Sequence, residues 1–303
     1  MKKIKLGEKT WKLIFEDDKE WLAFRKNRIG ASDASIILGT SKWKTTDGRI
    51  KTPYLLWQEK LGLDQIDSDN AATRYGKAME EPARQVYQNM VGDLFEATCV
   101  IHDDYPHLMV SLDGLNITND KMVEIKNCKL EDHEKAMNGE VPEKYVAQVQ
   151  MQMMVSNLPE NDYFSFHKGD GIIVTAKRDE KYIKDLNKKL LEFWDCVSNL
   201  KEPALTENDY IEQNDEWLAV ATQLFEAKQR KKVATEEEKA LSDLLKSLSS
   251  NRNARSGAYR YTCSTQVGRV DYKSIPELLN RDLSEYTGLP TERWTLSKAK
   301  PKN

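Results

Sequence analysis

Between Gly92 and Lys126 the chain drops its helical periodicity for three short β-rich runs, residues 94–101, 108–112 and 121–126. Turn material separates them at Asp113-Gly114 and Asn119-Asp120, and runs of this length and spacing predict an antiparallel meander. The apolar frame of the second and third runs, Leu108-Met109-Val110 and Met122-Val123, marks them as interior strands. Charged residues nevertheless sit inside that frame, at Asp113, Glu124 and Lys126. Any fold for this chain must bury or partner them.

Helices are predicted on both sides of the meander. Trp21 to Arg28 reads as helical, and Ser32 can cap a short helix to Leu38 that Gly39 ends. Thr52-Pro53 opens another, with Thr as N-cap and Pro at the first position, running to Gly62. After a polar loop at 64–73, a helix from Ala71 or Tyr75 to Met90 follows from the spacing of Tyr75, Met79, Ala83, Val86, Tyr87 and Met90. Pro142 starts a helix over 143–156. Residues 163–167 and 172–176 form a hairpin around Gly169-Asp170-Gly171, and 179–200 is a long helix. This order predicts an α/β (α+β) core, a central mixed β-sheet flanked by helices. Residues 206–250 read as two consecutive helices, because Thr235-x-x-Glu238 is a second capping box, and 259–270 as a strand before an irregular tail. The expected organisation is a core over 1–205, a helical arm or hairpin over 206–250, and a β-rich segment and tail over 251–303.

Composition excludes several classes. Of 303 residues, 39% are hydrophobic and 31% charged, and no apolar run approaches the roughly 18 residues of a membrane span. The basic start leads into Lys and Glu rather than a signal-peptide core, which predicts a cytoplasmic protein with no membrane partner. Four scattered cysteines without a CxxC pair give neither a zinc ribbon nor a disulfide framework. None of the four histidines has metal-ligand spacing. The net charge of -3 conceals an asymmetry: residues 1–60 carry 14 Lys and Arg against 8 Asp and Glu, and residues 201–250 carry 7 against 11. The N-terminal region is therefore a candidate anion-binding face, with solvated surface lysine as the plainer alternative.

On a strand, Glu124 and Lys126 share one face with Cα atoms roughly 6.6–7 Å apart, while Ile125 points into the core. Asp113, at the end of the preceding run, falls beside Glu124. Two carboxylates and the Ile125 backbone carbonyl form a hard oxygen site suited to Mg²⁺. Lys126, next to the cation but free of it, can orient a water or help deprotonate it. The alternative is a polar ladder on a half-exposed strand.

Asp113…Glu124-Ile125-Lys126 resembles the metal core of the PD-(D/E)xK nucleases, and the surrounding blocks resemble the lambda-type exonuclease or YqaJ-like viral recombinase group. Trp21-x3-Arg25-x6-Ser32 is similar to that family's first motif, around a terminal phosphate. Gly76-Lys77-Ala78-Met79-Glu80 is similar to its helix with an upstream acidic residue, and Tyr145-x2-Gln148-Val149-Gln150 to its helix after the Glu-x-Lys strand. The blocks follow family order from residue 21 to about 176; a looser likeness covers Gly268 to Lys273. The resemblance implies a restriction-endonuclease-like core and a deoxyribonuclease that digests linear duplex DNA from 5′-phosphorylated ends, leaving 3′ tails for phage-type recombination. Asp113, Glu124, the Ile125 carbonyl and Glu80, chosen over Glu81, would hold two Mg²⁺ ions, with Mn²⁺ as a substitute. Lys126 would place the nucleophile. Arg25 and Ser32 make chemical sense as a 5′-phosphate pocket, since Arg is a bidentate phosphate donor and Ser32 would stand at a helix N-terminus. Gln148 and Gln150 lie about 200° apart around a helix, so one of them can face the site; Gln148, on the face of Tyr145 and Gln152, is chosen. The resemblance also implies a ring-like homo-oligomer, trimer or tetramer, a single-strand annealing partner, and a phage or prophage origin in a bacterial cell. The rival readings are a RecB-like nuclease or a structure-specific endonuclease of the same core, and a non-catalytic DNA-binding module.

Overall fold

The computed structural model describes residues 1–63, 71–264 and 275, residues 71–73 by their backbone alone. The chain divides into two units, Met1–Ile211 and Glu212–Asn303.

The first unit is built on one mixed sheet. An antiparallel hairpin of β1 (Lys2–Lys5) and β2 (Thr10–Ile14) joins the antiparallel series β4 (Phe95–His102), β5 (Leu108–Asn116) and β6 (Met122–Asn127). A two-residue strand, β3 (Ile29–Gly30), runs parallel to the start of β5. β7 (Glu160–His167) lies parallel to β6, and β8 (Asp170–Lys177) closes the sheet antiparallel to β7. The meander and the final hairpin are those the sequence pattern predicts. The β1–β2 hairpin is additional, and its first strand, Lys-Lys-Ile-Lys, is exposed throughout, so it carries no apolar alternation to announce it.

The helices of this unit are α1 (Asp18–Lys26), α2 (Ala31–Ile37), α3 (Pro53–Leu61), α4 (Ala71–Val91), α5 (Leu130–Met137), α6 (Glu143–Ser156) and α7 (Glu180–Ser198). Local chemistry explains most ends. Asp17 caps α1 by accepting from the Glu20 amide. Thr52 caps α3, and Gly62 ends it in the left-handed region at φ 70°. One expected cap moves: α2 begins after Gly30, so Ser32 stands inside the first turn, and the Asp33 carboxylate accepts the Gly30 N–H at 2.9 Å. No sequence pattern predicts α5, which begins after Cys128 and Lys129 at the end of β6.

Two layers cover the sheet. On one face α4 sets Ala83 and Tyr87 against Phe95, Val123, Ile125 and Phe164. On the other, α2, α3, α6 and α7 enclose Val100, Leu108, Val110, Leu112 and Met122. α6 is buried almost all round: Ala147, Val149, Met151, Met153, Met154 and Val155 each leave water almost completely, worth about 1.5–3 kcal/mol for each large side chain. Three glutamines on so apolar a helix must therefore find partners. Their partners build the site.

In the second unit, α8 (Asp215–Leu248) is one continuous helix and not the two that the Thr235 capping box suggested. Thr235 has no helix to begin, because no Gly or Pro interrupts residues 215–248; its hydroxyl donates instead to the Lys231 carbonyl at 2.8 Å. β9 (Ala254–Ser256) and β10 (Tyr259–Tyr261) form a short antiparallel hairpin. Strand structure within the expected 259–270 is thus confined, among the described residues, to β10. Residues 265–270 and the block Gly268 to Lys273 lie outside the described residues.

Candidate active site

β5 carries one residue more than β4 between the pairs Thr98↔Leu112 and Glu96↔Leu115. This bulge falls on Asp113 and Gly114, so Asp113 lies within a strand and not in the turn its Asp-Gly sequence suggested. Bulges re-aim a side chain and bend the strand that holds them. Gly114 is required there: a Cβ would stand 2.7 Å from Val123 Cγ1 and 2.9 Å from Phe95 Cβ. The β5–β6 ladder ends at Gly114↔Val123. Just beyond, the strands part, and the Asp113 carboxylate accepts the Ile125 N–H at 2.7 Å in place of the missing ladder bond.

Along β6, Ile125 packs beneath α4 while Glu124 and Lys126 face α6. Glu124 is 1% exposed. Its carboxylate accepts from the Lys126 ammonium, from Gln148 Nε2 at 2.5 Å and from Gln152 Nε2. Gln152 also donates to the Ser111 carbonyl at 3.3 Å and accepts from Asn161 Nδ2 at 2.8 Å. Gln150, on the far side of α6, instead bonds the Lys177 carbonyl and the Asp179 amide. The helical geometry that favoured Gln148 over Gln150 is therefore the geometry present. The Lys126 ammonium lies 5.4 Å from the centre of the Tyr145 ring.

The other wall comes from the N-terminal elements. Because β3 runs parallel to β5, with Gly30 level with Met109, the first turn of α2 arrives beside Ser111 and Asp113. Arg25, near the end of α1, donates from Nη2 to Ser32 Oγ at 3.0 Å, and its guanidinium lies 5.3 Å from the Trp21 ring centre. Behind them Asp33 and Lys60 form a buried pair at 2.8 Å, each 6% exposed. Lys60 also donates to the Arg28 carbonyl at 2.7 Å. Burial by itself would raise the Asp33 pKa, but Lys60, Arg25 and the Gly30 N–H outweigh it and hold the group at about 2.

A cavity of about 150 Å³ results, with Arg25 and Ser32 at one side and Asp113, Glu124, Lys126 and Gln148 at the other. Six of the residues singled out from sequence thus converge on one space. Glu80 stands outside the cavity lining; Arg84 holds it at 2.9 Å and donates from Nε to the Asp113 carbonyl at 2.6 Å. Sequence reasoning passed over Asn161, Arg84 and the Asp33–Lys60 pair, and used Gln152 only to define a helix face. A buried glutamine on an apolar helix was the one signal that pointed to Gln152.

The electrostatics favour a cation. Burial first, and then the neighbouring Glu124 charge, push the Asp113 carboxyl well above the usual range, against the opposing pull of Lys126 and the Ile125 N–H. Lys126 is pushed up: burial lowers its pKa, but Glu124 and Asp113 overcome that. The half-buried Asp113 and the buried Glu124 face a single ammonium, so the two carboxylates carry one negative charge more than Lys126 can neutralise. Two carboxylates and a nearby main-chain carbonyl are the donor set of a hard divalent ion. Among the described residues no group of three or more His, Cys, Asp or Glu side chains could hold a metal, so the fit rests on two carboxylates and the backbone.

Residues 20–159 match the family model of the YqaJ-like viral recombinase domain. Over that span, a little under half of its length, the chain is similar to this recombinase domain. The matched span contains every cavity residue described above, from Arg25 to Gln148. The homologue "Uncharacterized protein YqaJ" of Bacillus subtilis (strain 168) is 31% identical over 194 residues, which are 61% of this chain and 58% of that protein; the chain thus spans little more than half of its relative's length. Among solved structures, an alkaline exonuclease (LHK-Exo) from Laribacter hongkongensis is 21% identical with a TM-score of 0.50, covering 60% of this chain and 94% of that one. Its complex with dAMP gives 22% and 0.51 over the same shares. At this level the likeness is one of fold. No helix among the described residues is long and apolar enough to cross a membrane.

Proposed function

We propose that this chain is a divalent-metal-dependent exodeoxyribonuclease that digests linear duplex DNA from 5′-phosphorylated ends and leaves 3′ single-stranded tails. One observation carries the reading: the bulged β5 and the parted β6 set Asp113, Glu124 and Lys126 around a cavity whose opposite wall is the Arg25–Ser32 pair. The domain family and the fold of the alkaline exonuclease support a nuclease acting on DNA.

Asp113, Glu124 and the Ile125 carbonyl would hold Mg²⁺, or Mn²⁺ in its place, with Glu80 as a further contact to a second ion once released from Arg84. Bound there, the cation would supply Lewis-acid polarisation of the phosphoryl oxygen and acidify a water. Every other task falls to the chain. Glu124, fixed by Gln148 and Gln152, presents a carboxylate of set orientation. Lys126 stays protonated beside it and orients the attacking water through a donated hydrogen bond, and Gln148 is placed to do the same from α6. Water forms the new P–O bond, the bond to the leaving oxygen breaks, and that oxygen takes up a proton. Arg25 and Ser32 would grip the terminal phosphate, selecting the end and setting the register of the scissile bond. The cytoplasmic, phage-associated setting, the ring-like oligomer and the annealing partner rest on the family resemblance alone.

The deciding experiment is a Mg²⁺-dependent time course on linear duplex DNA with one 5′-phosphorylated and one 5′-hydroxyl end, with closed circles and EDTA as controls. Digestion should start at the phosphorylated end, stop with EDTA and spare the circles. Lys126→Ala should abolish hydrolysis while leaving DNA binding in place. Rapid loss of circles would overturn the exonuclease reading, and undiminished cleavage by Lys126→Ala would remove the active site.

A further inference from the structure

Helix α8 has an exposed apolar seam that the nuclease reading does not use. From Trp217 the seam repeats every seven residues with two positions per heptad: Trp217, Val220, Leu224, Ala227, Lys231, Ala234, Glu238, Leu241, Leu245 and Leu248. Eight of these ten are apolar, and all ten are exposed among the described residues. The spacing is that of a coiled-coil seam sustained for more than four heptads. Toward its C-terminal end the seam forms one wall of a groove of about 420 Å³, lined by Ala234, Glu238, Leu241 and Leu245 and closed on the other side by Tyr261. The Tyr261 hydroxyl is tied to the Ser242 carbonyl at 3.1 Å, which fixes that wall.

We propose that this seam pairs antiparallel with α8 of a second copy of the chain. The charges decide both partner and direction. Residues 228–232 hold four cations, Lys228, Arg230, Lys231 and Lys232, and residues 236–238 hold three glutamates. A parallel pair would set Lys231 against Lys231 and Glu238 against Glu238 within the seam, and like charges there are repulsive. An antiparallel pair reverses this. It layers Trp217 on the partner's Leu248, Val220 on the partner's Leu245 and Leu224 on the partner's Leu241. The small Ala227 and Ala234 then fall in the middle, with Arg230 beside the partner's Glu237. Lys231, across from the partner's Ala234, extends toward the partner's Glu238 one turn away. Large apolar residues at both ends and opposite charges at the centre make the helix its own complement when reversed. The groove by Tyr261 receives the partner's Val220 and Leu224.

The test uses the full chain in sedimentation equilibrium, with circular dichroism to confirm that helix content is unchanged. Wild type should associate. R230E/K231E makes the central contact all acidic and E237K/E238K makes it all basic, so each alone should weaken association by at least about 100-fold, the scale of juxtaposed like charges. An equimolar mixture of the two should associate again, because each supplies what the other lacks. A wild type with no association step beyond that of R230E/K231E overturns the proposal. So do reversed variants that associate as tightly as wild type, or a mixture no tighter than its components. None of these outcomes bears on hydrolysis, so failure here leaves the nuclease reading intact.

Discussion

Replacing Lys60 with methionine tests whether the buried ion pair behind Arg25 and Ser32 holds the N-terminal wall of the cavity in place. The ammonium lies 2.8 Å from Asp33, and both side chains are 6% exposed. Removing one member of a buried pair costs about 3–5 kcal/mol, because the other is left as an uncompensated charge. Asp33 keeps the Gly30 N–H at 2.9 Å and the field of Arg25, which places the loss near the lower end. A second route gives a similar size: Asp33 is held at about 2 against an ordinary 3.8, and at about 1.36 kcal/mol per pH unit this is roughly 2.4 kcal/mol favouring the charged, folded form. The assay is urea unfolding followed by tryptophan fluorescence, with Trp57 buried in the same helix as Lys60. For urea slopes of about 1–3 kcal/mol per molar, the midpoint at neutral pH should fall by about 1–3 M.

The pH dependence should also change sign. In wild type the depressed Asp33 pKa gives stability that is present above 3.8 and lost as pH falls from there through about 2. In Lys60→Met burial prevails, the carboxyl shifts upward, and stability rises as the pH is lowered from neutral toward the acid range. Adding Asp33→Asn should recover most of the loss, since removing both charges of a buried pair is often close to neutral. The reasoning fails if the single variant unfolds at the wild-type midpoint, or if the double variant is no more stable than the single one.

Two further perturbations address the cavity itself. Arg25→Ala should erase the preference for 5′-phosphorylated over 5′-hydroxyl ends while leaving cleavage at hydroxyl ends near its wild-type rate; equal slowing at both would argue against a phosphate pocket. Gln152→Leu removes a donor to Glu124 and strands Asn161, so the Mg²⁺ concentration for half-maximal activity should rise about 10–100-fold, as it does when the groups that orient metal ligands are lost. Isothermal titration of Mg²⁺ without DNA should show the same rise, and an unchanged affinity would mean that Gln152 only supports the fold.

The legible parts of this chain share a cause. Strands β4 to β6 announce themselves because one face is apolar, and the Glu124-x-Lys126 spacing matters because period-two geometry puts both on one face. The parts that escaped were governed by something other than pattern. β1 consists of four exposed residues added to the sheet edge by backbone pairing, with no buried apolar face. Thr235-x-x-Glu238 satisfies the spelling of a helix start, yet a capping box competes with a helix that nothing interrupts, and the uninterrupted helix wins. The bulge at Asp113-Gly114 was hidden behind a dipeptide that usually means a turn; only contact with Val123 and Phe95 shows why the glycine is there. Asp33 and Lys60 are 27 positions apart, and no local rule joins them.

The cavity's two ends differ in charge balance, and this difference gives the site its polarity. At the N-terminal end Arg25 and Lys60 face one carboxylate, Asp33, leaving one positive charge in excess. At the β5–β6 end Asp113 and Glu124 face one ammonium, Lys126, leaving one negative charge in excess. Hydrogen bonds fix the groups at each end, Arg25 to Ser32 at one and Asp113 and Lys126 to the β6 backbone and Glu124 at the other, so side-chain rearrangement cannot neutralise either end without breaking those bonds. An anion at Arg25 and a cation at Asp113 would balance both at once. A phosphate with a divalent ion beside it on a backbone is such a pair, and Arg25 is the cation of the basic first 60 residues that lines the cavity.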